Sequence, residues 1–150
     1  MALIIAVVNT KGGVGKSTVV VELAVRAAEL GYRSVLIEAD DQTTCSGWLE
    51  AIDQTGNESG VEYYVLENVD RGARSLEVNA LVKQLRGECD IIFIDTKGDA
   101  TLETSAAVNL SDFALIPIQP SANDLEEFER TVGLIYTSRE IRQGKPAATI

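Results

Sequence analysis

The chain contains no histidine. That absence removes imidazole general-base catalysis, histidine-dependent triads and histidine metal sites. Its two cysteines, Cys45 and Cys89, lie far apart without C-x-x-C spacing, so reduced thiols in a cytoplasm are the expectation. No apolar run approaches the roughly 20 residues that span a bilayer. The apolar residues at 2–8 follow no basic segment, so they read as a strand rather than a signal peptide. Cations are scarce: 13 Lys and Arg stand against 23 Asp and Glu, for a net charge of −10. Nucleic-acid backbones are held mainly through Lys and Arg, and no third of the chain is basic. Residues 1–50 carry 4 cations and 6 anions, 51–100 carry 5 and 10, and 101–150 carry 4 and 7. The local excess at Arg139, Arg142 and Lys145 reads as a solvated helix end. There is no internal repeat, low-complexity tract or linker.

What remains is 150 residues, 45% of them apolar, which suits one globular domain with one sizeable core over residues 1–150. Strand-like and helix-like segments alternate. Residues 3–9, apolar through Val8, read as a strand covered on both faces. Residues 17–30 place Val20, Leu23, Ala24 and Ala27 at helical spacing, and Gly31 sits where a helix C-terminal cap belongs. A strand is expected at 34–37. A polar loop follows at 41–60, with a short helix around 48–52. Strands are expected at 61–66, 90–94 and 113–118, and helices at 76–85, 102–110 and 124–141. Pro117 marks a strand end or an edge. A last strand begins at 147. This order predicts βαβ units and an α/β fold: a mostly parallel twisted sheet flanked by helices on both faces. The sequence stops as a strand starts, which fits either a natural short form or the product of a longer gene lacking its C-terminal part.

The segment between the first strand and first helix carries the chemistry. Residues 10–18 read TKGGVGKST. A glycine-rich turn there points backbone N–H groups at one spot, and the helix N-terminus adds its positive dipole end, so phosphate binds. Gly12, Gly13 and Gly15 permit the tight backbone, with Val14 between them. Lys16 reaches the β- and γ-phosphates, and Ser17, followed by Thr18, offers a hydroxyl to Mg2+. In the general pattern G-x-x-x-x-G-K-[ST], Thr10 replaces the first Gly, and Lys11 is a second lysine. Asp95 follows the apolar residues 91–94, the arrangement that holds Mg2+ directly or through water. Asp40 ends the second expected strand, where a carboxylate can orient an attacking water.

The string KGGVGKST resembles the deviant Walker A motif of the ParA/MinD family of P-loop ATPases, and the small plasmid and chromosome partition ATPases in particular. The resemblance runs from residue 3 to about 140. It implies that ATP and Mg2+ are the cofactors and that Lys11 reaches across an ATP-bound homodimer to the partner's phosphates. It makes Asp40 the residue that activates water near the magnesium, with Ser17, Asp40 and Asp95 around the ion. Residues 38–42, EADDQ, stand where the family has D-x-D-P-Q: Asp40 and Gln42 match, while Glu38 replaces Asp and Asp41 replaces Pro. Residues 96–99, TKGD, then form the segment that senses the γ-phosphate, with Lys97 a departure that touches phosphate, pairs with Asp99 or faces solvent, the last being the expectation. Residues 105–124 also match, with Asp124 capping the next helix or lining the dimer face. Trp48, with Cys45 and Leu49, is expected to pack locally. The acidic run at 124–129 reads as a solvated helix face.

The function implied is a Mg2+-dependent, ATP-hydrolysing dimerisation switch in DNA segregation, cytoplasmic, and stimulated by a ParB-like centromere-binding adaptor. The family's DNA-binding residues lie toward the C-terminal side, so non-specific DNA binding has little support in this acidic chain. Alternatives are a MinD-like positioning ATPase, a small-molecule ligase or kinase using ATP on the same fold, and a non-hydrolysing nucleotide module. No basic amphipathic tail is present, so membrane is not expected as a partner. No N-K-x-D guanine motif appears, and ATP over GTP rests on the resemblance.

Overall fold

The computed structural model describes every residue except 41, 67–70, 100, 120–121 and 150, and only the backbone of 71–72, 122–124 and 148–149. Six strands, β1 (Leu3–Val7), β2 (Ser34–Glu38), β3 (Val61–Val65), β4 (Ile91–Asp95), β5 (Phe113–Leu115) and β6 (Ala147–Thr149), form one sheet in the order β3-β2-β4-β1-β5-β6. Every pairing is parallel. Among the described residues, five helices connect them: α1 (Lys16–Glu29), α2 (Thr44–Gln54), α3 (Arg71–Leu85), α4 (Leu102–Leu110) and α5 (Ala122–Ile141). β1 lies between β4 and β5, with Val7 in register with Asp95. The register therefore brings the phosphate loop and the Asp95 strand end to the same edge.

Side chains alternate along each strand, so the sheet feeds two cores. Ile4, Ala6, Ile37, Ile92 and Ile94 pack with Val78, Val82, Leu85, Ala107, Val108 and Ile135 of α3, α4 and α5. Val7, Leu36 and Phe93 pack with Val20, Val21, Ala24, Ala27, Cys45 and Leu49 of α1 and α2. Ile37 and Ile94 are fully buried, and truncating either to Ala should cost about 2–5 kcal/mol through lost transfer energy plus a cavity.

The ends of the elements follow local chemistry. α1 stops as expected at Gly31: its φ of 88° is left-handed. The Gly31 N–H donates to the Ala28 carbonyl and the Tyr32 N–H to that of Ala27, the paired bonds of a Schellman cap. α4 starts at Thr101, whose hydroxyl accepts from the Thr104 amide at 3.3 Å. β5 ends two residues before Pro117, which has no N–H to give to a ladder. α2 differs most from expectation, spanning 11 residues rather than a short helix around 48–52. Its first turn is capped from outside: the Glu38 carboxylate accepts from the amides of Cys45 (2.6 Å) and Ser46 (3.0 Å). α3 and α5 also begin earlier than predicted, so Asp124 sits within the first turn of α5 rather than before it. The side chain of Asp124, expected to cap the helix or line the dimer face, lies outside the described residues, as does Asp41. Among the described residues, no helix is long and apolar enough to cross a membrane.

Candidate functional site

The loop between β1 and α1 turns through glycines at positive φ, Gly13 at 75° and Gly15 at 90°. Gly15 is the N-cap of α1 and has no side chain to satisfy the helix's first amides. That leaves a helix N-terminus facing the turn, which suits an anion. Val14 is buried beneath the loop. Lys16 folds back across it, its Nζ donating to the Lys11 carbonyl at 3.0 Å. Burial lowers the Lys16 pKa below the ordinary lysine value, against the opposing pull of Asp95, Asp40 and Asp99. Ligand phosphate would restore the charge balance that burial disturbs.

Across the turn, the Ser17 hydroxyl donates to Asp95 Oδ2 at 2.7 Å. Asp95 is fully buried, and its other oxygen, Oδ1, has no hydrogen-bond partner among the described residues. Burial raises the Asp95 pKa above the usual carboxylate range, despite bonds from Cys45 and Ser17 and with Asp40 and Glu38 adding repulsion. An orphaned carboxylate oxygen beside a hydroxyl is a donor set that a hard divalent cation such as Mg2+ would complete. Asp40 is half-buried, and its Oδ1 accepts from the Gln42 amide at 3.1 Å. Gly12, Gly13, Gly15, Lys16, Ser17, Thr18, Asp40 and Gly98 share the lining of one open cleft of about 340 Å³ with Gln42, Thr44 and Trp48. Asp95 lies below it, reached through Ser17. The structure thus gathers the sequence-predicted residues at one strand edge. Lys11 is half-buried in the same loop.

Three features depart from the sequence reading or lie outside it. Trp48 does not simply pack: 43% exposed, it lines the cleft, while Cys45 and Leu49 join the core. Lys97 is half-buried rather than solvent-facing. Thr10, in place of the usual Gly, ties the loop to α5. Its amide donates to Thr131 Oγ1 at 3.1 Å, and its hydroxyl lies 2.6 Å from Glu127 Oε2. Asn9 anchors the other side, donating to the Pro117 carbonyl and accepting from the Lys11 amide, both at 2.8 Å. The 96–99 segment rests on the loop: Thr96 donates to the Val7 carbonyl at 2.9 Å, and Gly98 comes so close that a Cβ there would stand 2.7 Å from Gly12.

The model of the CobQ/CobB/MinD/ParA nucleotide binding domain matches residues 5–143. The protein ParA of Rhizobium radiobacter is 24% identical over 147 residues, covering 98% of this chain and 62% of that protein. The septum site-determining protein MinD of Helicobacter pylori is 26% identical, covering 90% of this chain and 59% of that protein. The chain therefore spans about 60% of the length of these curated relatives. Among solved structures, the cobyrinic acid a,c-diamide synthase of Mycobacterium smegmatis with bound ATP analog and magnesium superposes with a TM-score of 0.78 at 19% identity. That match covers 99% of this chain and 72% of that one.

Proposed function

The chain belongs to the CobQ/CobB/MinD/ParA nucleotide-binding domain family, and from that premise we propose that it is a ParA-type ATPase, a timed switch that dimerises on ATP. The observation that carries the reading is the pairing of two loop lysines, Lys16 bonded to the Lys11 carbonyl, with the part-buried Ser17–Asp95 pair opposite. The loop amides and the α1 N-terminus take the phosphates. Lys16 neutralises charge on the transferred group. Ser17 and Asp95 would hold Mg2+, which supplies charge neutralisation between the β- and γ-phosphates when bound.

Asp40 accepts a hydrogen bond from the water that attacks the γ-phosphorus. A new P–O bond forms, the bond to the β–γ bridging oxygen breaks, and ADP and phosphate leave with the water's proton passing to solvent or phosphate. A lysine supplied by a second copy acts as an arginine finger does, and Lys11 is the residue for it. A centromere-binding adaptor of ParB type is the partner that fits a slow switch of this class, and DNA segregation is the process. The synthase likeness speaks for the fold alone at 19% identity. The test compares phosphate release and nucleotide binding for the chain and for Asp40→Ala. The proposal expects ATP still bound and Mg2+-dependent turnover lost; turnover that survives Asp40→Ala would sink it.

A further inference from the structure

Cys45 occupies a place that phosphate chemistry does not require. Its side chain is fully buried at the start of α2, and its Sγ donates to Asp95 Oδ2 at 3.1 Å. Glu38 is fully buried beside it. One donor atom from each of Glu38, Cys45 and Asp95 lies within 4.8 Å of the other two. Asp95 Oδ1 has no hydrogen-bond partner among the described residues. Two buried carboxylates and a thiol thus share one space, with a carboxylate oxygen left unsatisfied. Such a group favours a cation beyond the charge of Lys16, which Asp95 supports from the loop side. Hard cations prefer oxygen, whereas a thiolate with two carboxylates suits a borderline or soft one.

We propose that Glu38, Cys45 and Asp95 form a site for one thiophilic divalent cation, of the zinc or cadmium kind, which competes with magnesium nucleotide because both need Asp95. Zinc bonds of about 2.3 Å to sulfur and 2.0–2.2 Å to oxygen call for donors closer together than the 4.8 Å outer bound, and Cys45 Sγ and Asp95 Oδ2, at 3.1 Å, already are. Ser17, bonded to Asp95 at 2.7 Å, or a water completes four ligands. On binding, the Cys45 thiol gives its proton to solvent and coordinates as thiolate. Glu38 is already oriented by the Cys45 and Ser46 amides, so α2 and the cation are held through the same carboxylate. The competition part rests on the reading that Asp95 serves the nucleotide's magnesium; the site itself does not.

The experiment titrates the nucleotide-free chain with cadmium and follows the ultraviolet cadmium–thiolate charge-transfer band. The chain has only two cysteines, so the Cys89→Ser variant leaves Cys45 as its sole thiol. The proposal expects the band to appear in this variant and saturate at one cadmium per chain, and to be absent in Cys45→Ala. Glu38→Gln should weaken cadmium at least about 10-fold. No band in a folded Cys89→Ser chain, or saturation at one cadmium per two chains, overturns it. A saturating magnesium–ATP analogue should then raise the cadmium needed for half-saturation at least about 10-fold. An unchanged titration, with analogue binding confirmed separately, overturns the shared use of Asp95. Failure of the analogue to bind a cadmium-free chain would instead overturn the nucleotide reading.

Discussion

Replacing Gly98 by Ala puts a methyl carbon 2.7 Å from both the Cα and the amide nitrogen of Gly12, and 2.9 Å from the Lys11 carbonyl carbon. Carbon contacts settle near ~3.5–4.0 Å, so the two segments must part by roughly 1 Å. Both sides of the contact are backbone, and neither can swing aside as a long side chain does. Overpacking of this kind costs about 1–3 kcal/mol, a fall in Tm of several degrees for a chain of this size. The larger consequence is aim. The displaced carbonyl is the one that Lys16 Nζ binds at 3.0 Å, and misplacing a positioned group by about 1 Å can cost on the order of 100-fold in rate. Gly98→Ala should therefore lower Mg2+-ATP turnover about 10- to 100-fold. Gly87→Ala, which meets nothing within 4 Å, should change neither turnover nor Tm. Phosphate release at saturating ATP and thermal unfolding, measured on the same preparations, decide it. Unchanged turnover in Gly98→Ala would refute the reasoning, whatever happens to stability.

Asp95→Asn should stabilise the nucleotide-free chain by about 1 kcal/mol, because a buried carboxylate is removed while the bonds from Ser17 and Cys45 keep an acceptor, and thermal unfolding will show it. The pH sign follows from the raised folded pKa. Between the unfolded value of 3.8 and that higher value the folded chain holds a proton the unfolded chain lacks. Asp95 therefore contributes stability below its unfolded pKa and loses it as pH rises through the folded one; the variant should lack that dependence in unfolding titrations. Asp112 has the opposite sign. Burial pushes its pKa up, but bonds from Lys145 and the Ile4 amide outweigh burial and hold it below the usual value. Its contribution is present above the unfolded pKa and lost as pH falls through the folded one, so Asp112→Ala should cost about 1–3 kcal/mol near neutrality and less in acid. Thr10→Val removes the hydroxyl 2.6 Å from Glu127 Oε2, and should cost about 1–2 kcal/mol in denaturant unfolding as α5 loosens from the loop.

The phosphate loop, its flanking elements and the acid at the end of β4 were legible because each is a local signal: glycines at set offsets, an apolar strand, a helical period. The same locality explains what was missed. Glu38 looked like a conservative replacement in a family motif, yet its carboxylate caps α2, which depends on where β2 delivers it. Cys45 reads as a residue of local packing beside Trp48 until the fold lays it against Asp95, 50 positions away. The Thr10 bonds to α5 join residues 117 and 121 positions apart, beyond any window of pattern. Trp48 reads with Cys45 and Leu49 as local packing; its neighbours do pack, but Trp48 itself lines the cleft.

The central claim, that Lys11 makes this a dimerisation switch, is tested most directly by sedimentation velocity of the chain and of Lys11→Ala with Mg2+ and either ADP or ATP. The account predicts a dimer for the unaltered chain with ATP only, and a monomer for Lys11→Ala that still binds nucleotide. A chain that stays monomeric with ATP bound, or a Lys11→Ala variant that dimerises equally well, would contradict it.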